Sequence, residues 1–190
     1  MDGVYVEDKI FEKNNFAESP LAQGDYEGCR FINCNFSDTD LSHFNFSECT
    51  FTGCNLSMAK LVKTSFQDTK FKDCKLLGLH FFDCNSFLFT VDFDNCHLNL
   101  ASFYKLKLKK IRFKDSSLHE VDFTETDLSN SIFDNCDLSR TIFDSTILER
   151  ADLRTSFDYS IDPELNRIKK ARFSTAGVAG LLDKYDIDIE

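Results

Sequence analysis

Between Phe11 and Leu153 a large apolar residue, in most cases Phe or Leu, recurs at every fifth position. A first run goes from Phe11 through Phe16, Leu21, Tyr26 and Phe31 to Phe81; the period then slips by two residues and resumes from Leu88 through Phe93 and Leu98 to Leu153. Two positions before each centre stands a second column of mostly small residues, among them Cys29, Cys34, Thr39, Cys54, Ala59, Ala101, Val121, Thr126 and Ser131. A helix repeats about every 3.6 residues and a half-buried strand about every 2, so a period of five fits neither. It marks a solenoid whose coils stack around one shared core.

The segments Cys54-Asn-Leu-Ser-Met, Thr126-Asp-Leu-Ser-Asn, Cys136-Asp-Leu-Ser-Arg and Ala151-Asp-Leu-Arg-Thr resemble the pentapeptide repeat, A(D/N)LXX, and the match runs over roughly three quarters of the chain. The resemblance implies an all-β fold: a right-handed quadrilateral β-helix, a pentapeptide-repeat solenoid with four pentapeptides to a coil. In it the centre residue and the one two before it point inward. A large centre with a small partner fills a narrow interior, and Asn or Asp before the centre suits tight turns. Treating residues 82–87 as a bulged corner, one wall collects Phe11, Phe31, Phe51, Phe71, Phe93, Phe113 and Phe133. The opposite wall collects Leu21, Leu41, Leu61, Phe81, Phe103, Phe123 and Phe143. With rungs about 4.8 Å apart, about seven coils make a rod of roughly 35 Å.

The expected organisation is a β-helix over residues 1–157 and a C-terminal helical capping and dimerisation segment over 158–190. Asp162-Pro-Glu reads as a helix start, with Asp as cap and Pro in the first turn. Ser174 reads as the cap of a second helix, with Val178, Leu181, Leu182 and Tyr185 at helical spacing, followed by an alternating Ile187-Asp-Ile189 tail. This amphipathic segment is expected to cover the open end of the solenoid, with Val178, Leu181, Leu182, Tyr185 and Ile187 available to a second copy.

Composition fits such a rod: 190 residues with 21 Phe, two Pro and no Trp can bury a continuous aromatic core. The first residues lack a basic region followed by an apolar stretch, and no apolar run reaches membrane-spanning length, so a cytoplasmic location is expected. The eight cysteines keep phase with the small column and read as small core hydrophobes. A straight cysteine ladder at rung spacing does not converge its sulfurs on one zinc ion, and no CxxC spacing occurs. No metal or cofactor is expected. His97, Ser117 and Asp137 stack on an outward wall in the wrong order for a nucleophile triad, and no phosphate loop or HExxH motif occurs. The chain does not read as an enzyme.

The net charge of −10 is unevenly placed. Residues 60–114 carry +6, concentrated in the basic waist Lys105-Leu-Lys-Leu-Lys-Lys-Ile-Arg-Phe-Lys, and residues 115–152 carry −8. The waist reads as part of a charge ladder: Lys70 and Lys72, then Asp92 and Asp94, then Arg112 and Lys114, then Asp134, alternating from rung to rung. The acidic block consists of Asp115, Glu120, Asp122, Glu125, Asp127, Asp134, Asp137, Asp144, Glu149 and Asp152. With no compensating bases nearby in sequence, it reads as a field and not as a set of pairs, able to attract a basic groove that normally holds DNA. A second candidate surface is the aromatic bulge, where Phe82, Phe87 and Phe89 flank the slip and Tyr104 is expected beside Phe82.

Ile161-Asp-Pro-Glu-Leu-Asn-Arg-Ile and Ala176-Gly-Val-Ala-Gly-Leu-Leu-Asp-Lys-Tyr-Asp-Ile-Asp-Ile resemble the C-terminus of the McbG, Qnr and MfpA group within that family. The resemblance implies a homodimer formed through the C-terminal segment. It also implies binding to DNA gyrase or topoisomerase IV by imitation of DNA, with protection against quinolones or a gyrase-targeting toxin. The alternative is a structural or protein-interaction scaffold that uses the aromatic bulge.

Overall fold

The computed structural model describes residues 3–188 as a right-handed quadrilateral β-helix of parallel strands. The first wall contains β1 (Val4–Glu7), β3 (Gly24–Glu27), β5 (Asn45–Ser47) and β7 (Ser65–Gln67). The second contains β2 (Ile10–Glu12), β4 (Arg30–Ile32), β6 (Thr50–Thr52), β8 (Thr69–Lys72), β9 (Val91–Asp94), β10 (Arg112–Lys114) and β11 (Ile132–Asp134). The third and fourth walls are ladders of single bridges, such as Asn15 to Asn35 to Asn55 and Ser102 to Asp122 to Ile142. Neighbours in a wall lie twenty residues apart, as in Phe31 opposite Phe51.

The five-residue period works because both inward columns are satisfied. In the second wall the Phe centres stack face to face, with Phe31 and Phe51 centroids 4.6 Å apart and Phe93 and Phe113 5.3 Å apart. Rings of adjoining walls meet edge to face, as Phe103 does with Phe113. The small column holds Thr, Ser and Cys because each can donate to the centre carbonyl one coil back. Thr64 Oγ1 donates to the Leu41 carbonyl and Thr126 Oγ1 to that of Phe103, while Cys54 Sγ reaches the Phe31 carbonyl at 3.3 Å. Most hydroxyls buried here therefore have their hydrogen bond met, Ser131 Oγ being an exception.

At the corners, Asn or Asp before a centre accepts the N–H two residues on, as Asn35 does from Ser37, Asp127 from Ser129 and Asp137 from Ser139. The residue two after most centres turns left-handed, and most such positions are not glycine: Asn33, Glu48, Lys110, Asn130 and Arg150 all have φ between 53° and 65°. Stacking holds each of these otherwise unfavourable conformations in place.

The slip appears as a register of twenty-two between β8 and β9, where Phe71 faces Phe93. Phe89, not Leu88, supplies the inward ring at this rung, packing edge-on against Phe66 and Phe81. Leu88 itself has φ of 57° and is 54% exposed, so the expected centre at Leu88 is corrected to Phe89. The two extra residues move the inward position by one.

The walls extend past the regular period: Ile147 bridges Arg167 and Asp152 bridges Arg172. Asn166 takes the small-column position, buried, accepting from Thr146 N–H and donating to the Phe143 carbonyl. Asp162 does accept the Glu164 N–H as a cap, but the turn closes with Asn166 pointing inward and no helix follows. The expected second helix is likewise not an α-helix. It is a pair of 3-10 segments, Ala176–Leu181 and Asp183–Tyr185, with Ser174 Oγ accepting the Gly177 N–H. Gly177 and Gly180 lie against Tyr159, where a β-carbon would meet its hydroxyl and carbonyl, and the Ile161 N–H donates to the Gly180 carbonyl. That close docking favours the tighter helix. Ile189 of the expected tail lies outside the described residues.

Candidate protein-interaction surface

Twenty residues to a coil decide which charges meet. On the second wall Lys70 and Lys72 face Asp92 and Asp94, which face Arg112 and Lys114, and Lys114 faces Asp134. Lys114 Nζ lies 3.4 Å from Asp94, and Arg112 reaches Asp134 at 3.1 Å. The ladder expected from the sequence is present.

The same offset overturns the reading of the acidic block as an unpaired field. Residues 115–134 lie one coil above the basic waist, so Glu125 pairs with Lys105 at 3.5 Å and Asp127 with Lys109 at 3.3 Å, while Asp115 pairs with its chain neighbour Lys114 at 3.5 Å. From the far side Arg140 reaches Glu120, Arg167 reaches Glu149 and Arg172 reaches Asp152 at 3.8 Å, and within its own coil Arg154 reaches Asp152 at 2.7 Å. With Asp134 included, seven of the ten carboxylates sit in ion pairs. The pair with Arg154 lowers the Asp152 pKa. Burial raises that of Asp127, yet the Ser129 hydroxyl and N–H together with Lys109 outweigh it and lower the value overall. The block also spans all four walls: Asp127 and Glu149 on the first, Asp115, Asp134 and Asp152 on the second, Glu120 and Asp137 on the third, and Asp122, Glu125 and Asp144 on the fourth.

Asp122, Asp137 and Asp144 remain outside the ion pairs found among the described residues. Asp122 accepts from Ser102 Oγ and the Thr124 N–H, Asp137 from the Ser139 N–H, and Asp144 from Ser145 Oγ.

A surface the sequence reading passed over lies on the first wall. Its N-terminal half exposes Glu7, Asp8, Asp25, Glu27, Glu48 and Asp68, none in an ion pair among the described residues. The Tyr5 hydroxyl donates to Glu27, which pushes its pKa up to about 12. The C-terminal half of this wall exposes Lys107, Lys110, Arg150, Lys169 and Lys170. The signal is present in the sequence, but only when residues are read at intervals of twenty along one wall; segment sums average it away.

The aromatic bulge divides. Phe89 turns inward, as described above. Phe82, 39% exposed, stacks on His80 and meets the edge of Tyr104, with Lys105 Nζ over the Tyr104 ring. Phe87 is 75% exposed and lies on the first wall, away from that cluster. In the cap, Leu181 packs on the core and Leu182 is half-buried, while Val178, Tyr185 and Ile187 are exposed. Lys184 clasps Asp162 and Glu164 at 2.8 and 2.7 Å, which lowers both carboxyl pKa values.

His97, Ser117 and Asp137 do occupy successive rungs, but the Ser117 hydroxyl donates to Asn99. All eight cysteines are buried and free. No helix among the described residues is long and apolar enough to cross a membrane.

A family profile described as "Pentapeptide repeat region" matches residues 24–87 and 86–157. No curated protein matches the chain. Among solved structures, full-length QnrB1, a plasmid-mediated fluoroquinolone resistance protein, is similar at 18% identity and a TM-score of 0.63, covering 97% of this chain and 100% of that one. A trypsin-treated R167E form of QnrB1 gives a TM-score of 0.52 at 18% identity, covering 98% and 100%. HetL from the cyanobacterium Nostoc, a pentapeptide repeat protein involved in heterocyst differentiation regulation, gives 0.35 at 18% identity, covering 92% of this chain and 88% of its own.

Proposed function

Because the chain belongs to the pentapeptide-repeat family, we propose that it is a non-catalytic interaction rod that binds a type II topoisomerase, DNA gyrase or topoisomerase IV, in place of DNA. It thereby protects that enzyme against a quinolone or a gyrase-targeting toxin. The end-to-end likeness to QnrB1 points to this class of partner.

The observation that carries the reading is the unneutralised acidic half of the first wall. Six carboxylates on four rungs amount to on the order of one charge per 3 Å, about half the linear density of duplex DNA. A flat strip at that density suits a groove built for phosphates.

The test is a gyrase supercoiling assay with titrated protein, with and without a fluoroquinolone, at two salt concentrations. The expected result is inhibition or drug rescue that weakens with salt and is lost in the triple variant Asp25→Lys, Glu27→Lys, Glu48→Lys. Absence of any effect from the wild-type protein at every concentration overturns the reading. The second reading, a scaffold for another partner, is favoured by the exposed Phe82 set edge-on against the half-buried Tyr104. It is identified by binding that survives the acidic variant and is lost on Phe82→Ser with Tyr104→Ser.

A further inference from the structure

One corner column of the first wall reads Asp8, Gly28, Glu48, Asp68, Leu88, Lys110, Asn130, Arg150 and Lys170, each in the left-handed conformation. Reversed, the column sets acid against base at two levels, Asp8 opposite Lys170 and Asp68 opposite Lys110, while Gly28 falls opposite Arg150, Glu48 opposite Asn130 and Leu88 opposite Leu88. These charged side chains are exposed and outside every ion pair found among the described residues. The central rung is the bulge, which presents Phe87 and Leu88 at 75% and 54% exposure. Beside it lies a groove of about 360 Å³ lined by Phe89, Val91, Leu108 and Ile111 together with Asp92, Lys107, Lys109 and Lys110.

We propose that this wall is a self-association surface on which a second copy docks antiparallel about a two-fold axis through Leu88. The acidic half of each copy meets the basic half of the other, and each Phe87 enters the partner's groove. A two-fold interface requires a patch complementary to itself, and a column acidic in one half and basic in the other meets that requirement when reversed. The wall is about 38 Å long and roughly one 10 Å strand wide, near 400 Å² per copy, which is below the size of permanent interfaces. The dimer is therefore concentration-dependent and salt-sensitive. It does not rest on the topoisomerase reading, but it covers the same acidic half-wall, so the dimer and that complex exclude one another; it also differs from a dimer made through the cap.

Sedimentation velocity over a concentration series, at low and high salt, tests it. The expected result is a low-salt dimer that dissociates in high salt. Lys110→Glu with Lys170→Glu weakens it at least tenfold, and adding Asp8→Lys and Asp68→Lys restores it. Leu88→Cys gives a disulfide-linked dimer on mild oxidation, while Met58→Cys, exposed on the opposite wall, does not. Circular dichroism confirms that each variant is folded. A monomer under all conditions, a dimer indifferent to the charge reversals, or one lost on Val178→Asp with Ile187→Asp but kept on Lys110→Glu with Lys170→Glu overturns the proposal.

Discussion

Lys114 Nζ lies 3.4 Å from Asp94 Oδ1, twenty residues away along the chain and one rung away in the wall. Asp94 in turn faces Lys72 on its other side. Exposed pairs of this kind stabilise weakly, so their value lies in rejecting shifted registers. Lys114→Ala is expected to leave Tm within about 2 °C, whereas Asp94→Lys, which sets three cations in a row, lowers it by about 3–5 °C. Thermal unfolding followed by circular dichroism measures both.

The Phe column carries far more. Phe113 is fully buried between Phe93 and Phe133, with centroids 5.3 and 5.1 Å away. Phe113→Ala is expected to cost about 3–5 kcal/mol, because a stacked column cannot collapse onto the void without shifting every rung. The denaturant midpoint compared with that of the wild type gives the value.

The thiols are expected to be inert in the folded protein. Burial pushes the Cys49 pKa up to about 12, and Cys54 and Cys74 donate to carbonyls of the coil before. Ellman's reagent should modify none of the eight cysteines in buffer and all eight in denaturant. Rapid reaction of even one in the native state contradicts the packing described.

Acid should loosen the cap before the solenoid. Lys184 lowers the pKa values of Asp162 and Glu164 below their ordinary 3.8 and 4.5. Their contribution is therefore complete above those ordinary values and is lost as pH falls through the lower folded ones. The Ile161 amide, which donates to Gly180, reports cap docking. Its hydrogen-exchange protection is expected to fall in that acid window and to fall at neutral pH in Lys184→Ala.

Asn166 closes the last coil by accepting from Thr146 and donating to Phe143. Asn166→Leu leaves a buried N–H and a buried carbonyl unpaired and is expected to cost about 2–4 kcal/mol. Chemical denaturation checks the magnitude, and Asn166→Asp, which keeps the acceptor, separates the two contributions.

The family, the inward columns and the charge ladder were all legible in the sequence, because each follows from a fixed period. The candidate surface was legible only in part. The ten-residue acidic block looked unpaired because most of its partners, such as Lys105 for Glu125 and Arg167 for Glu149, lie eighteen to twenty-two residues away in sequence. The acidic half of the first wall was hidden for the converse reason: Asp8, Asp25, Glu48 and Asp68 are scattered in sequence and adjacent only in the coil.

What the sequence by itself determined is the repeat: a large residue every five positions with a small one two before it admits one way of filling a narrow square interior. Tertiary structure decided everything that depends on which rungs touch. It turned Phe89 inward in place of Leu88, carried two walls past Leu153 to Arg167 and Arg172, and wound the cap as 3-10 turns against Tyr159. The physical reason is the closure of the coil. Which residues face inward follows from a period of five that the chain displays locally, whereas charge pairing and cap docking depend on which rungs touch, and a two-residue slip changes the register where it falls.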